Sequence, residues 1–388
     1  MGPFAGMALI AAGAFLAVRA IDELMKGDNM FDCSKEMAGY HNDEVTLPKA
    51  QQDEMRERRN ANRKRLKDGL KKAGKPAPLE FKSQGSYAMK IMVQHPEKKY
   101  DIDDGVYFAK EDLKGPNGGE MSALDARKMV RDALDDGSFK TPPEVRPNCV
   151  RVHYDAGYHV DIPVYRRVVT KNVFGTETIH YELASSDWKR SDARDVTEWF
   201  EKENNEQSPH SDNGRQLRRM TRDIKKFARS RPSWEDQILS GFGITKLVTE
   251  RYRANAARED TALYDTMKAL RDRLEWDLVV KHPVTPNEMI TKGENDPKAR
   301  FLRDKLSDAL TWLEVLFDPS CTREQALKAW DKVFNTTYFT DQLEDEDDEK
   351  ARAALAAPAI LTAGLLKAEG AAAAMREPVR KEGGGRYA

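Results

Sequence analysis

Cysteine is scarce in this chain: Cys33, Cys149 and Cys321 are the only three in 388 residues, far apart and in no CxxC pair. That excludes a disulfide framework and a structural zinc site, and it fits a reducing cytoplasm. A dominant sign of charge is lacking as well. A third of the residues are charged, yet 65 acids meet 64 bases and leave a net charge of −1. No global field draws in a polyanion, so any electrostatic site must be local. Without aromatic residues interleaved among basic ones, a DNA or RNA template is not expected as the partner. Long apolar runs are missing apart from Phe4–Val18, an uncharged stretch of fifteen. It is short for a membrane span and no basic residues precede it. The reading taken is an extension ahead of a start at Met30, or a loosely attached helix, with no membrane anchoring. No internal repeat is visible.

What is present falls into four stretches: the apolar extension 1–29, a mixed lobe 30–190 with a leading helix, a helical lobe 191–342, and an acidic, Ala/Gly-rich tail 343–388. Residues 47–72 have strong helix propensity and mixed charge and predict a surface helix leading into the core. Between 81 and 170 the order strand, helix, strand, strand predicts an α+β lobe built on a small mixed sheet. From Asp192 to about Phe339 helix-period patterns dominate, interrupted by a flexible stretch at "ENNEQSPHSDNG". The acidic run Leu343–Lys350 reads as a solvated linker, and the segment after it is too poor in large apolar groups to form a core.

The chemistry concentrates in "QGSYAMKIMVQHPEKKYDIDDGVYF", Gln84–Phe108. Asp101 and Asp103 are two apart, so a strand would turn both carboxylates to one face. An Asp-x-Asp pair is weak evidence by itself, since Asp345 and Asp347 in the acidic linker spell it too. Two neighbours strengthen the first copy. Fourteen residues separate it from the Gly85-Ser86 turn, which lets backbone N–H groups and a hydroxyl approach a phosphate. Asp161, in "YHVDIPVY", alternates with inward Val160 and Ile162 and would join the pair if the strands are neighbours. Three converging carboxylates suit two Mg²⁺ ions (Mn²⁺ as a substitute) in phosphoryl or nucleotidyl transfer. His153, His159 and His282 read as structural imidazoles, because Mg²⁺ prefers oxygen ligands.

"QGS", "DIDDG" and "VDIPVY" in this order resemble the polymerase-β superfamily of nucleotidyltransferases, and within it the cGAS/DncV-like enzymes (CD-NTases) of bacterial anti-phage signalling, closest to the cyclic GMP-AMP synthase branch. The resemblance extends from about Phe81 to Phe334. It implies a bilobal enzyme with its cleft between a nucleotidyltransferase lobe and a helical lobe. That enzyme would make a cyclic di- or trinucleotide from ATP and GTP or other nucleoside triphosphates. A transferase adding nucleotides to RNA or protein, and a catalytically dead nucleotide sensor, are the rivals. The resemblance assigns metal and catalysis to Asp101, Asp103 and Asp161, and the donor-phosphate turn to Gly85 and Ser86 with Gln84 before it. It assigns triphosphate contacts to Lys225 and Ser240, and a nucleobase contact to Arg151.

In "RQLRRMTRDIKKFARSR", Leu217, Met220, Ile224 and Phe227 mark an apolar helix face. Arg215, Arg218, Arg222 and Arg229 mark a basic one, read as solvated except at Lys225. Departures from the family pattern at Ala193, Phe227 and Tyr87-Ala88-Met89 bear on nucleobase choice. The resemblance also implies that a ubiquitin-ligase-like partner acts on the tail at Ala388, an ordinary frayed terminus being the plainer reading.

Overall fold

The computed structural model describes residues 29–343, except 98–99, 116, 156 and 173. The apolar stretch Phe4–Val18 and the tail to Ala388 lie outside the described residues. Among those described, no helix is long and apolar enough to cross a membrane. Contacts divide the chain into two units, Met1–Asn335 and Thr336–Ala388, and the first contains both the sheet and the helices that follow it.

Helix α1 (Ser34–Tyr40) and a π turn lead into the long helix α2 (Lys49–Lys72). Then come β1 (Glu80–Gln84), a four-residue helical turn α3 (Gly85–Ala88), β2 (Asp101–Ala109), α4 (Ala123–Leu134), β3 (Glu144–Val145), β4 (Val150–His153), β5 (His159–Ile162), β6 (Val164–Lys171), β7 (Glu177–Ala184) and β8 (Trp188–Arg190). Only helices follow: α5 (Ala193–Gln207), α6 (Gln216–Ala228), α7 (Gly241–Arg251), α8 (Glu259–Trp276), α9 (Pro297–Leu313) and α10 (Arg323–Phe334). The α+β class and the helical second lobe are as the residue patterns predict. The stretch expected to be flexible is helical for its first five residues, because α5 runs on to Gln207.

The strands form one mixed eight-stranded sheet, ordered β3-β4-β5-β2-β6-β7-β8 with β1 paired to β2. Pro163 separates β5 from β6, having no N–H to give the ladder; its carbonyl still accepts from the Val106 N–H at 2.9 Å. Both pieces run parallel to β2. Alternation along β2 sorts its side chains. Ile102, Val106 and Phe108 are fully buried in the apolar core that the sheet shares with Leu66 and Leu70 of α2 and Val130 and Leu134 of α4. Asp104 falls on this same face, and Arg63 of α2 meets it there, with Nε 2.7 Å from Oδ2 and a second guanidinium nitrogen 2.5 Å from Oδ1. Asp101 and Asp103 take the opposite face.

Helix α6 differs from expectation. Its apolar residues Leu217, Met220, Ile224 and Phe227 are fully buried, and of the residues read as solvated Arg218 is buried too, at 7% exposed, while Arg215 and Arg222 are half-buried and Arg229 is exposed; Lys225, the stated exception, is 4% exposed. A buried cation needs a partner. Arg218 finds Glu201 at 2.5 Å, and the neighbouring Arg219 finds Glu259 at 2.6 Å.

Candidate active site

Parallel pairing of β2 with β5 sets Asp101 against His159 and Asp103 against Asp161. All three carboxylates therefore share one sheet face. Burial, and then the charges of Asp161 and Asp101, push the Asp103 carboxyl up to about 6. No side chain among the described residues forms an ion pair with Asp103. Asp101 behaves oppositely: His159 Nε2 lies 2.7 Å from its Oδ1, and this neighbour holds the carboxyl below its ordinary range despite partial burial. Asp161 is gripped across the antiparallel β4–β5 pair by Arg151, whose Nε and terminal nitrogen each donate at 2.7 Å to one carboxylate oxygen.

Among the described residues no three His, Cys, Asp or Glu side chains stand together as a ready ligand set. The outer acids are already engaged, Asp101 by His159 and Asp161 by Arg151. The three carboxylates themselves fit a hard divalent cation, with Asp103 penalised by burial and by like charge that a cation would relieve.

The Gly85-Ser86 turn rests directly on the acids. Gly85 has φ +60°, and a Cβ there would stand 2.3 Å from Asp103 Oδ2. Two requirements thus coincide on glycine, a left-handed backbone and an approach too close for any side chain. Gly85→Ala is expected to cost about 1–3 kcal/mol of stability, read as a lower midpoint in thermal unfolding. An unchanged midpoint would mean that the turn and Asp103 are not packed together.

Gln84 behaves differently from its neighbours. Its buried amide donates to the Tyr107 hydroxyl at 2.9 Å and accepts from the Tyr165 hydroxyl at 3.2 Å. It fills the space above Gly105, where a Cβ would lie 2.2 Å from its Nε2. The structure places this side chain in the packing behind the turn.

A cavity of about 880 Å³ opens over the acids. Gly85, Ser86, Asp101, Asp103, Lys225, Gly241 and Phe242 are among its lining residues. The Lys225 ammonium donates to the Ile91 carbonyl at 2.7 Å, and burial, then the charges of Arg229 and Arg222, push its pKa down to about 7. Ser240 caps α7, its hydroxyl accepting from the Gly243 N–H at 3.2 Å. Ser240 lines an adjoining cavity together with Asp101, Lys225 and Arg229. Seven of the nine residues singled out by sequence therefore gather as one neighbourhood: Gly85, Ser86, Asp101, Asp103 and Lys225 on the main cavity, Ser240 beside it, and Asp161 paired to Asp103. Arg151 joins them through Asp161, and Gln84 stays apart.

Sequence reading missed Tyr181 and Arg190 of the β7–β8 hairpin and Phe242 as lining residues, and it took His282, whose ring lies 5.3 Å from that of Phe242, as a structural imidazole although it lines the same cavity. The one available signal was Phe242 inside "SGFGIT", just past the helix cap.

Residues 79–165 match the family model described as "Cyclic GMP-AMP synthase DncV-like, nucleotidyltransferase domain". Solved structures of similar fold include Escherichia coli DncV bound to 3'-deoxy GTP, with 18% identity over 75% of this chain and 92% of that one and a TM-score of 0.56. Vibrio cholerae DncV, a cyclic AMP-GMP synthase in complex with a linear intermediate, has 16% identity over 79% and 96% and a TM-score of 0.60. The Bradyrhizobium diazoefficiens CD-NTase CdnG in complex with GTP has 16% identity over 78% and 95% and a TM-score of 0.58. At these identities the likeness is one of fold.

Proposed function

We propose, for a chain whose residues 79–165 carry a cGAS/DncV-like nucleotidyltransferase domain, that it joins ATP with GTP or another nucleoside triphosphate into a cyclic di- or trinucleotide, releasing pyrophosphate. The observation that carries this reading is the single sheet face on which Asp101, Asp103 and Asp161 lie against the Gly85-Ser86 turn, with Lys225 lining the same cavity. Asp101, Asp103 and Asp161 would hold Mg²⁺, or Mn²⁺ in its place. Bound there, two such ions supply Lewis acidity to the α-phosphate and acidify the attacking hydroxyl.

The chain's own groups do the rest. Ser86 and the N–H groups of its turn bind phosphate oxygens. Lys225 and the capped start of α7 at Ser240 meet the negative charge of the triphosphate. Arg151, already forked onto Asp161, serves in this reading as a charge partner that orients the acid. Phe242 and Tyr181 offer ring surfaces on which bases can stack. The cavity falls within the usual size range of small-molecule sites. A cytoplasmic location and a role in anti-phage signalling follow from the family resemblance.

The test is incubation of purified protein with labelled nucleoside triphosphates and Mg²⁺, followed by nuclease mapping and mass spectrometry. The expected product is a phosphatase-resistant cyclic oligonucleotide with stoichiometric pyrophosphate. Nucleotides added to RNA or protein would establish the rival transferase, and no pyrophosphate at all would sink the enzymatic reading.

A further inference from the structure

The helical turn α3 has four residues and cannot hold its own orientation. Its backbone closes on itself: the N–H groups of Met89, Lys90 and Ile91 donate to the carbonyls of Gly85, Tyr87 and Ser86 at 3.1, 3.2 and 2.9 Å. What fixes this closed unit in space is the next set of carbonyls. Arg218 Nε donates to the Met89 carbonyl at 3.1 Å, Arg222 Nε to that of Lys90 at 2.8 Å, and Lys225 Nζ to that of Ile91 at 2.7 Å. Three consecutive carbonyls thus accept from three cations spaced i, i+4, i+7, one stripe of a single helix.

Lys90 shows how strongly the arrangement is imposed. It holds φ +56°, a left-handed conformation unfavourable for a residue with a side chain. Arg222 is itself anchored at its other end, with a guanidinium nitrogen 3.3 Å from Thr46 Oγ1.

Resting on the nucleotidyltransferase reading, the geometry points to Arg218 and Arg222 as positioning residues: they hold the Gly85-Ser86 turn in register with Lys225 so that the two grip one triphosphate. Neither arginine lines the main cavity over the acids. Each acts through a backbone carbonyl. Because all three bonds lie on one stripe, sliding α6 along its axis would break them together and part the turn from Lys225.

The experiment compares the wild type with Arg222→Met and Arg222→Lys, with Mg²⁺ present, in two measurements. One is steady-state kinetics with ATP and GTP; the other is calorimetric binding of α,β-methylene ATP, which cannot be cleaved at the reacting bond. Arg222→Met keeps the apolar stem and loses the donors. It should raise both KM and the analogue's Kd about tenfold, the range of a charge-assisted hydrogen bond, with kcat within about threefold of the wild type. Arg222→Lys, which retains one charged donor for the Lys90 carbonyl, should recover most of that affinity. Unchanged Kd in Arg222→Met overturns the assignment, and so does a loss confined to kcat and melting temperature, which marks a merely structural contact. If Arg222→Met does not fold, Arg222→Gln, too short to reach the carbonyl, is measured instead; wild-type affinity in it likewise overturns the assignment. A wild type that binds no nucleoside triphosphate removes the function itself, an outcome distinct from equal tight binding by wild type and variant.

Discussion

Under the proposed function, Asp103→Asn is expected to reduce cyclic product by about 10²–10³-fold, the loss typical of removing a group that acts on charge developing in the transition state. The same substitution should raise the melting temperature in metal-free buffer. Asp103 lies beside Asp161 and near Asp101, and burial together with these charges lifts its carboxyl from an ordinary 3.8 to about 6. The folded protein therefore binds this proton more tightly than the unfolded chain does. Below about pH 4 both states are protonated and nothing is lost; between pH 4 and 6 stability falls as pH rises, and above 6 the whole penalty is present. At pH 8 that penalty is about 3 kcal/mol at most.

The asparagine variant lacks the penalty, so it should melt higher at pH 8 and lose that advantage by pH 4. Added Mg²⁺ should reverse the ranking, stabilising the wild type by mass action while leaving the variant largely unmoved. Calorimetry at pH 4 and 8, with and without Mg²⁺, checks each sign. Product retained in the variant would take Asp103 out of the mechanism. A variant that melts lower at pH 8 would mean that the three acids are not a mutually repelling set.

The acids were legible because period-two spacing survives folding: Asp101 and Asp103 had to share a face, and a strand-borne Asp161 needed only the right neighbour. That β5 pairs with β2 in the register setting Asp161 beside Asp103 was not in the pattern, since several strand orders would satisfy the same alternation. Parity also explains Asp104. One position on, it falls on the core face, where a lone carboxylate is costly unless something like Arg63 meets it.

The basic side of α6 was illegible for a different reason. A helical wheel assigns charges to water by default, but Arg218 and Arg222 answer, beside Lys225, to carbonyls of residues 89–91, and no feature of those residues announces that their carbonyls lack partners. Gln84 misled in the opposite direction. A polar residue next to a phosphate turn reads as a ligand contact, while the missing side chain at Gly105 makes room for it among tyrosines. The helical lobe was easy to place because its apolar positions recur at helical spacing. The rest of the cavity lining was hidden because it is assembled from a hairpin, the start of α7 and a loop that are distant in sequence.

Lys225→Met should lower kcat/KM by about 100-fold and, more tellingly, flatten its dependence on pH. Burial, followed by the charges of Arg229 and Arg222, brings the ammonium from an ordinary 10.5 to about 7. If Lys225 meets the triphosphate as proposed, its cation is lost in the free enzyme as pH rises through 7, so wild-type kcat/KM should decline towards tenfold per pH unit above that point. Stability moves the other way. The folded state disfavours the charged lysine, so the unfolded chain binds more protons between about pH 7 and 10.5, and the fold gains stability across that window.

Falling activity alongside rising melting temperature cannot be mistaken for denaturation, and the opposed slopes identify the lysine as the titrating group. Binding of a triphosphate above pH 7 should also draw a proton onto the protein, visible as a buffer-dependent heat in calorimetry. The methionine variant should show neither the slope nor the proton uptake. A wild-type profile that stays flat from pH 6.5 to 9, with Lys225→Met close to it in rate, would reduce Lys225 to a prop for the Ile91 carbonyl and leave the triphosphate without its buried cation.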